Sequence, residues 1–352
     1  MDNQDPFSRF VPMIEQALRD ALRTPNAALD NFYGMMRYHL GWADETLKEN
    51  SSSGGKRIRP ILTLLACEAA GGEPTLALPA AVAVELVHNF SLVHDDIEDR
   101  SDFRRHRRTV WKIWGDAHAI NLGDGLFALA RLQLSRLLDR GAGPRVTLEA
   151  TQILDGACLA LTEGQFLDMR FEGMEQVSLD DYLWMIRGKT AALLACACQL
   201  GAIVGTEDTQ VIRALHDFGY NLGMAFQIED DILGIWGDPQ VTGKPAGDDV
   251  LNRKKTLPVV YAWDRGFMPK APDAHRKAAC VLREVYSQRT VSEADLLRAE
   301  EALEAVQARE YCAEVSGEYT SLALSAASHP NLARAAAGQL KVVARSLLGR
   351  SR

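Results

Sequence analysis

The sequence of 352 residues has few cysteines, and those it has are not arranged for chemistry. The six cysteines are scattered through alanine-rich or apolar stretches. Cys196 and Cys198 come nearest to a metal-binding pair, but no second pair accompanies them. The sequence therefore predicts reduced core cysteines, as expected for a cytoplasmic protein.

Long apolar runs and an excess of basic charge are also missing. Hydrophobic residues make up 47% of the chain and charged residues 24%, with a net charge of -8. An acidic balance argues against a general nucleic-acid or anionic-membrane surface. No apolar run reaches the roughly 18 residues of a membrane span, and the N-terminus MDNQDPFSRF is unlike a signal peptide. We expect a cytoplasmic protein with no nucleic-acid partner and no stable membrane insertion.

Strand patterns are absent too. No series of short, β-branched, alternating segments occurs, whereas helical apolar periodicity recurs from residue 6 to the C-terminus. Amphipathic helices are predicted within 6–50 with a break near Pro25, from Pro60, and over 145–171, 178–205, 209–237, 292–328 and 331–349. Short connections favour antiparallel neighbours. Because no composition shift or repeat divides the chain, we predict an all-α fold with one domain over residues 1–352.

The most informative stretch is 86–109, where an apolar helical run ends in acidic residues. Asp95 and Asp99 stand four apart, on one helix face, with Asp96 beside them. Such carboxylates repel one another unless a cation neutralises them, and Mg²⁺ typically takes one or two carboxylates together with water and phosphate. Bidentate donors for phosphate follow in a cluster of five arginines: Arg100, Arg104, Arg105, Arg107 and Arg108. The simpler alternative is a solvated helix end, which most mixed-charge runs are.

A second acidic cluster favours the metal interpretation. FQIEDD at 226–231 again follows an apolar helical run. A calcium-binding EF-hand loop is excluded because the alternate-position acids and the turn glycine are missing. Two other motifs are rejected: GDGLFA at 123–128 has no strand before it, and RGKT at 187–190 lacks the first glycine of a phosphate-binding loop.

Basic residues outside the arginine cluster lie on predicted loops and helix starts. These residues are Lys56, Arg57, Arg59, Lys189, Lys244 and Lys254. Any one of them, taken alone, would be a typical solvated surface charge. Together with two acidic clusters, they suggest a cradle for two diphosphates, one bridged by metal and one held mostly by side-chain cations.

These motifs resemble the trans-isoprenyl diphosphate synthase (polyprenyl synthetase) family. GGKRIRP, HNFSLVHDDIED with two arginines following, EGQFLD, GKT, FQIEDD, GDPQVTGKPAGDD and KKTLP occur in the family's order from about residue 51 to 260. The resemblance implies the isoprenoid synthase fold, a helix bundle around a central cavity, and a homodimer. It also implies a Mg²⁺-dependent prenyltransferase that uses three ions to condense isopentenyl diphosphate with an allylic diphosphate.

The resemblance also implies roles for individual residues. The metal ions and the allylic diphosphate would be held by Asp95 and Asp99, with Asp96 in support, and a further ion by Asp230, so that the two acidic motifs share ions around one diphosphate. Isopentenyl diphosphate would lie on Lys56, Arg59, His88 and Arg105. The allylic diphosphate would be faced by Arg104, Lys189, Thr190, Gln227, Lys244 and Lys254, and Gln165 and Asp168 match the family's GQxxD. The predicted catalytic residues are Asp95, Asp96, Asp99, Arg104, Lys189, Asp230 and Lys244.

The chain departs from the family pattern in two motifs. Gly234 replaces the usual last aspartate of the second acidic motif, which leaves Asp230 and Asp231 for the third metal ion. His106 and Arg108 replace the glycine and proline that usually follow the paired arginines, which puts the geometry of that loop in question.

Product length is predicted from the side chains that precede Asp95 on its helix. Phe90 lies five residues back, about 7.5 Å along the axis, and Ser91 beside it is small. One aromatic at this position resembles enzymes that make geranylgeranyl diphosphate, with farnesyl diphosphate or a longer chain as alternatives.

Two rival functions remain at this point. A class I terpene cyclase also uses an aspartate-rich motif, but its second motif usually carries Asn, Ser or Thr and Glu, and it has no use for Lys56, Arg59 and His88. A non-catalytic subunit of a heteromeric synthase would be consistent with Gly234, although such subunits commonly lose the first motif. Without the resemblance, His88 and His94 would both be interpreted as core histidines.

Overall fold

The computed structural model describes residues 5–50, 55–239 and 246–349. Within these ranges the chain is almost entirely helical, which confirms the all-α prediction. The helices are α1 (Pro6–Ala21), α2 (Asp30–His39), α3 (Ile58–Ala69), α4 (Leu78–Glu98), α5 (Val110–Trp114), α6 (Asp116–Ser135), α7 (Pro144–Glu172), α8 (Leu179–Ile186), α9 (Ala192–Gly205), α10 (Thr209–Trp236), α11 (Asp248–Leu251), α12 (Leu257–Gly266), α13 (Asp273–Ser287), α14 (Glu293–Ala305), α15 (Ala308–Ala326) and α16 (Arg334–Leu348). A π-helical turn (Arg187–Ala191) joins α8 to α9, and strands β1 (Phe103–Arg104) and β2 (Arg107–Arg108) form an antiparallel hairpin.

Backbone contacts divide the chain into two compact units. Unit 1 comprises residues 1–156, 196–216 and 327–343, and unit 2 comprises 157–195, 217–326 and 344–352. Helices α7, α9, α10 and α16 contribute residues to both. The interpretation of residues 1–352 as one domain stays a prediction.

In unit 1, α4 is the most informative helix. Its first two turns are apolar on every side, and a helix of that composition is stable only when it is surrounded by other elements. Most of α4 is accordingly buried, and even Glu85 and Asn89 lie in the interior. Within the helix only Glu98, its last residue, is exposed, and the C-cap residue Asp99 that follows is exposed too.

Unit 2 has a core of its own. Trp263 on α12 packs with apolar residues of α13 and α14, and Tyr182 on α8 packs against α10. On α10, Met224, Ile228 and Ile232 recur every fourth residue, so one face of that helix is apolar and faces Tyr182.

The structure corrects several predicted helix boundaries. The helix predicted from Pro60 begins at Ile58, because proline is tolerated anywhere in a first turn. The second helix within residues 6–50 ends at His39, just before Gly41, whose φ of 89° stops it. The long helix predicted within 292–328 is two helices, and they are separated near Gln307, which has a φ of 55°. The hairpin was not predicted because its strands are only two residues long.

Two helical stretches are longer and more apolar than the sequence analysis allowed. Among the described residues, 74–98 and 179–205 could cross a membrane by length and composition alone. In their most apolar windows, 78% and 72% of the residues are buried inside the protein. Core helices pass the same test, so these stretches are weak evidence for a membrane span.

The cysteines are free thiols, as predicted. Five are buried, but Cys280 on α13 is exposed, so the prediction of core cysteines fails for that residue. Burial raises the pKa of the Cys67 thiol to about 12, which keeps it protonated and unreactive.

Candidate functional site

The first acidic cluster lies at the C-terminal end of α4. Asp95 and Asp96 are in its last turn, and Asp99 is the C-cap residue. The guanidinium of Arg104 bridges two of these carboxylates: its Nη2 donates to Oδ2 of Asp95 at 3.0 Å, and its Nε donates to Oδ1 of Asp96 at 2.7 Å. Arg104 therefore supplies a cation that offsets the repulsion between crowded carboxylates.

The three aspartates differ in environment. Asp96 is buried, and burial raises the pKa of its carboxyl to about 6 despite the opposing effect of Arg104. Asp95 is half-buried and Asp99 is exposed, so their oxygens are the more accessible ones. Among the described residues, no three His, Cys, Asp or Glu side chains form a ready-made metal cage. The accessible carboxylate oxygens of Asp95 and Asp99 nevertheless fit Mg²⁺, because this ion needs only one or two carboxylates and completes its octahedral coordination with water and phosphate.

The β1–β2 hairpin positions the paired arginines. Arg105 and His106 are its two turn residues, with φ values of 51° and 61°. Two consecutive positive φ values define the type I′ turn that two-residue hairpins favour. Histidine tolerates this region better than most non-glycine residues, which explains how His106 can stand where the family usually has glycine.

The five arginines do not share one role. Arg100 pairs with the exposed Asp116 on α6. Arg107 donates to the carbonyl oxygens of Tyr38 at 3.0 Å and Ala43 at 2.5 Å and stacks on the Tyr38 ring, so it anchors the hairpin. The guanidinium of Arg108 is 3.9 Å from the carboxylate of Glu45, a surface pair. Arg104 and Arg105 are therefore the arginines best placed to meet a ligand.

A separate cationic cluster lies further back along α4, around His88. Its Nε2 is 3.3 Å from Nη1 of Arg59. Burial, followed by the charges of Arg59 and Arg105, holds the pKa of His88 well below its usual value, so the ring is neutral. The structure thus brings together three residues that were predicted to bind one substrate. The fourth, Lys56, is exposed.

Arg57 has a structural role that the sequence did not reveal. Its guanidinium lies between two carboxylates, 2.6 Å from Glu15 and 2.8 Å from Glu85, and it is buried. It was grouped with the phosphate-binding cations, but these two acidic partners already neutralise it. The ion pairs tie α1 and α4 to the start of α3.

His39 is a second histidine of unit 1, half-buried with a buried Nε2, that sequence analysis missed. Burial and the positive charges of Arg104, Arg105, Arg57 and Arg107 lower the pKa of its imidazole to about 3. Nothing in the sequence distinguishes His39, because its neighbours in MMRYHLG are ordinary helix residues.

Each of the two neutral histidines is predicted to make the protein less stable in acid than it would be without that ring. In the unfolded chain His39 and His88 would bind protons near their usual pKa of about 6.5, while the folded protein keeps them neutral. At these two rings the unfolded state binds more protons, so each ring lowers the free energy of unfolding as the pH falls below 6.5. The raised pKa values of Asp96 and Asp231 act in the opposite direction, so the contribution of one ring is obtained by comparison with a variant that lacks it. From pH 6.5 to 5 we expect the His39 ring alone to contribute a decrease of about 2 kcal/mol, measured by urea titration of the ligand-free protein beside a variant that lacks this ring.

A variant pair checks this origin. His39→Gln removes one titrating ring, so its free energy of unfolding at pH 5, relative to that at pH 6.5, should be about 2 kcal/mol higher than in the original protein. His118→Gln, which changes an exposed histidine on α6, should leave the dependence as in the original protein. An unaltered pH dependence in His39→Gln would contradict the assignment.

Phe90 lies in an aromatic cluster within unit 1. Phe90 is 8% exposed. The centre of its ring lies 5.3 Å from that of His94 and 5.2 Å from that of Phe127 on α6. The hydroxyl of Ser91 donates to the carbonyl of His88. Phe127 thus lies beside the side chain that is predicted to form the floor of the substrate cavity, and sequence analysis missed it because it lies on another helix.

In unit 2, the rejected RGKT stretch forms the π-helical turn between α8 and α9. The ammonium group of Lys189 in this turn forms an ion pair with Asp168 on α7. The backbone of the turn lies directly on Gly164 of α7, where a Cβ would be only 2.2 Å from the amide nitrogen of Lys189. π turns recur at functional sites because they reorient side chains inside a continuous helix.

Asp231 is the centre of a buried hydrogen-bond network. Its Oδ1 accepts from Gln227 at 3.1 Å, and its Oδ2 accepts from the Tyr182 hydroxyl and, at 2.8 Å, from the amide of Leu257. Gln227 in turn accepts from the Thr190 hydroxyl at 2.6 Å. Burial raises the pKa of Asp231 to about 7. Because both oxygens are engaged, Asp231 is a structural carboxylate, and Asp230 is the candidate ligand of the second motif.

Gly234 lies one turn after Asp230, against another carboxylate. A Cβ at this glycine would be 1.8 Å from Oδ2 of Asp249 on α11. The charge of Asp249 also acts on Asp231, whose pKa it raises. The carboxylate of Asp249 thus occupies the space that the side chain of a third motif aspartate would need.

The remaining predicted residues lie in or near the loop that follows α10. Lys244 is outside the described residues. The amide of Lys254 donates to the carbonyl of Asp249 at 2.8 Å. Its neighbour Lys255 is buried, with its ammonium 4.9 Å from the ring centres of Trp263 and Tyr286, and burial lowers its pKa to about 8.

Comparison with known proteins gives the family. The polyprenyl synthetase family model matches residues 41–304. The chain belongs to the polyprenyl synthetase family. It is 45% identical over 275 residues to a (2E,6E)-farnesyl diphosphate synthase of Mycobacterium tuberculosis, covering 77% of this chain and 72% of the relative. It is 47% identical over 251 residues to a geranylgeranyl diphosphate synthase of the same organism, covering 71% and 69%.

The fold of this polyprenyl synthetase agrees with that assignment. A crystal structure of a polyprenyl synthetase from Streptomyces coelicolor A3(2) matches with a TM-score of 0.88 and 36% identity, covering 99% of this chain and 100% of the other. A geranylgeranyl pyrophosphate synthetase from Pyrococcus horikoshii matches with a TM-score of 0.84 and 32% identity, covering 97% and 98%. The predicted isoprenoid synthase fold is confirmed.

Restoring an aspartate at position 234 of this polyprenyl synthetase is expected to be harmful. The new side chain would displace the carboxylate of Asp249 and add a charge beside it. We expect Gly234→Asp to lower the free energy of unfolding by about 1–3 kcal/mol in urea titrations and to give no gain in activity.

Two further variants separate the steric overlap at position 234 from the charge repulsion with Asp249. Gly234→Ala tests the steric part alone and should cost less than Gly234→Asp. The double variant Gly234→Asp, Asp249→Ser removes the competing carboxylate and should recover most of the stability. If Gly234→Asp were as stable as the original protein, the position assigned to the Asp249 carboxylate would be wrong.

Proposed function

We propose that this polyprenyl synthetase is a Mg²⁺-dependent trans-prenyltransferase that condenses isopentenyl diphosphate with an allylic diphosphate. One observation carries the proposal: α4 bears two different phosphate-binding arrangements. Asp95 with Arg104 offers carboxylates for a dication, whereas the cluster of Arg59, His88 and Arg105 is purely cationic or neutral. Seven residues separate His88 from Asp95, about 10.5 Å along the helix. Two diphosphates of different binding mode fit this arrangement.

The proposed reaction needs no protein nucleophile. Mg²⁺, when bound, would neutralise the departing diphosphate and so promote ionisation of the allylic substrate to a carbocation. Arg104 would donate to the same diphosphate, while Arg59, His88 and Arg105 would hold isopentenyl diphosphate with its double bond towards the cation. Apolar side chains such as Phe90 would exclude water that would quench the cation. The proton that is lost from the new chain would go to the released diphosphate.

We assign an allylic-diphosphate role to several residues of unit 2 as part of the proposal. Lys189 is held at its place by Asp168, and Thr190 by Gln227, so both donors are fixed in a rigid π turn. Preorganised donors cost little to align when the leaving group develops charge. The proposed set also includes Gln165, Lys244 and Lys254, with Asp230 as a metal ligand.

Geranylgeranyl diphosphate is the proposed product, with farnesyl diphosphate as the alternative. The relatives named above include both kinds of synthase at similar identity. Phe90 and Phe127 together would close the shaft that receives the growing chain.

Phe90→Ala should lengthen the product. Removing the Phe90 ring leaves the Phe127 ring without its neighbour and should open space for a longer chain. We expect longer prenyl diphosphates by reverse-phase chromatography of dephosphorylated products. Phe267→Ala changes an exposed phenylalanine of unit 2 and should leave the product unchanged. An unaltered product from Phe90→Ala would rule out this residue as the floor.

A class I terpene cyclase is the second candidate, and the structure favours it less. A cyclase binds only one diphosphate, so the neutral His88 and its arginine partners would have no ligand. A non-catalytic subunit is also disfavoured, because the first acidic motif and its Arg104 bridge are complete.

We further propose a homodimer and a cytoplasmic location. Helix α6 exposes Ile120 and Leu132, and the start of α7 exposes Leu148. Large apolar side chains on neighbouring helices are typical of a surface that a partner covers. Size-exclusion chromatography with light scattering tests the dimer.

The decisive experiment supplies each primer separately. The purified protein is incubated with Mg²⁺, isopentenyl diphosphate and dimethylallyl, geranyl or farnesyl diphosphate. Elongated products support the prenyltransferase. A cyclic hydrocarbon made from an allylic diphosphate alone would establish the cyclase, and no reaction with any primer would contradict the prenyltransferase and favour a non-catalytic subunit.

A further inference from the structure

His39 lines a cavity in unit 1 that the assigned roles do not explain. The cavity holds about 240 Å³ and is lined by Tyr38, His39, Leu40, Gly41, Gly55, Leu92, Asp96, Arg104, Arg105, Arg107, Arg108, Thr109 and Val110. Within the part of the chain that the structure describes, Nε2 of His39 is buried and has no hydrogen-bond partner. A buried polar atom without a partner is costly, so such atoms commonly face a ligand or water.

The positive charges around the cavity favour binding of an anion. Arg104, Arg105, Arg57 and Arg107 all act on His39 with a positive charge. The one acidic residue of the lining, Asp96, is already bound by Arg104. A polyanion that enters here would meet several guanidinium groups and no unsatisfied carboxylate.

The cavity adjoins the cluster that we assigned to isopentenyl diphosphate. His39 is close enough to His88 to influence the pKa of that ring, and Arg105 acts on both rings. Arg105 belongs to that cluster and also lines the cavity. The two histidines therefore border the same group of arginines.

We propose that His39 is a further binding residue for the diphosphate of isopentenyl diphosphate, and that its Nε2, protonated from solvent as the ligand enters, donates a hydrogen bond to a phosphate oxygen. The proposal rests on the proposed function and adds a residue to the cationic cluster. No covalent bond forms or breaks. One proton moves from the buffer to the imidazole on binding and returns on release.

The electrostatics make this protonation feasible. In the free protein the surrounding guanidinium groups and burial keep the ring neutral at pH 7. A negative charge about 4 Å away, at an effective dielectric constant of about 20, raises the pKa of a group by about three, and a diphosphate brings more than one such charge. The ligand thus reverses the field that kept His39 neutral, and affinity should increase as the pH falls from 8 to 6.

Calorimetry measures the proton directly. Isopentenyl diphosphate is titrated into the protein with a chelator present and without primer, in two buffers of different ionisation enthalpy at pH 7. We expect uptake of roughly one proton on binding. His39→Gln should lose more than half of this uptake and weaken binding about tenfold or more, because a hydrogen bond to a charged group is lost.

The control and a second variant keep the test decisive. His118→Gln, at an exposed site on α6, should match the original protein in affinity and proton uptake. His39→Asn repeats the test if His39→Gln folds poorly in thermal denaturation. Affinity and proton uptake that are unchanged in a folded His39 variant would overturn the proposal.

The design separates this proposal from the proposed function. If the original protein elongates a primer but His39 variants bind isopentenyl diphosphate normally, only the role of His39 fails. If the protein does not bind isopentenyl diphosphate at all, the proposed function fails and this role fails with it. Titration with inorganic pyrophosphate then shows whether the cavity binds a diphosphate group alone.

Discussion

Replacing Asp95 with asparagine is expected to lower kcat on the order of 10³-fold. The variant loses a carboxylate oxygen that is proposed to bind Mg²⁺ and that Arg104 contacts at 3.0 Å. Loss of this oxygen should weaken the binding of Mg²⁺. It should also loosen the guanidinium of Arg104, which keeps only its contact with Asp96. The effect should appear in steady-state kinetics as a loss of kcat, together with a higher Mg²⁺ concentration for half-maximal activity.

Asp116→Asn is the matched control for this variant. It removes a carboxylate of α6 that pairs with Arg100 on the protein surface, and exposed ion pairs contribute little. It should therefore keep kcat within about twofold. A decrease of less than about tenfold in Asp95→Asn, with an unchanged Mg²⁺ requirement, would show that Asp95 does not hold the metal.

Gly164→Ala is expected to damage both stability and activity. Its Cβ would lie 2.2 Å from the amide nitrogen of Lys189 and 2.8 Å from the carbonyl carbon of Gly188. Both are backbone atoms, so no side-chain rotation relieves the overlap, and the π turn must move away from α7. We expect the free energy of unfolding to fall by about 3 kcal/mol. Displacing Lys189 and Thr190 by about 1 Å should lower kcat about 10²-fold.

Gly156→Ala is a control on the same helix. An added Cβ there meets nothing within 4 Å. Alanine has the higher helix propensity, so this variant should be more stable by up to about 1 kcal/mol, with unchanged kinetics. If both variants behaved alike in urea titrations, the close approach of α7 to the π turn would not be supported.

Local patterns in the sequence predicted much of the fold. Helices α7 and α10 were predicted within one or two residues, because their apolar periodicity is long and uninterrupted. Spacing alone also placed Asp95 and Asp99 on one face. What failed was the position of helix ends, which depend on single residues such as Gly41 and Gln307.

Long-range contacts were the part that the sequence could not show. Asp96 and Asp231 look like their neighbours in each motif, yet one is buried beside Arg104 and the other is surrounded by three donors. His39, Arg57 and Asp249 have no local signal, since their importance comes from residues far away in the chain. The convergence of Asp95 and Asp230 on one diphosphate stays a prediction.

The π turn at 187–191 shows where this chain can absorb a change in length. A π turn holds one residue more than the equivalent α-helical turn. Deleting that residue would restore ordinary α-helical pairing and rotate the preceding side chains by about 100° around the axis. An insertion or deletion in such a chain therefore need not fall in a loop. Within a helix, a single residue can redirect a lysine while the flanking turns keep their hydrogen bonds.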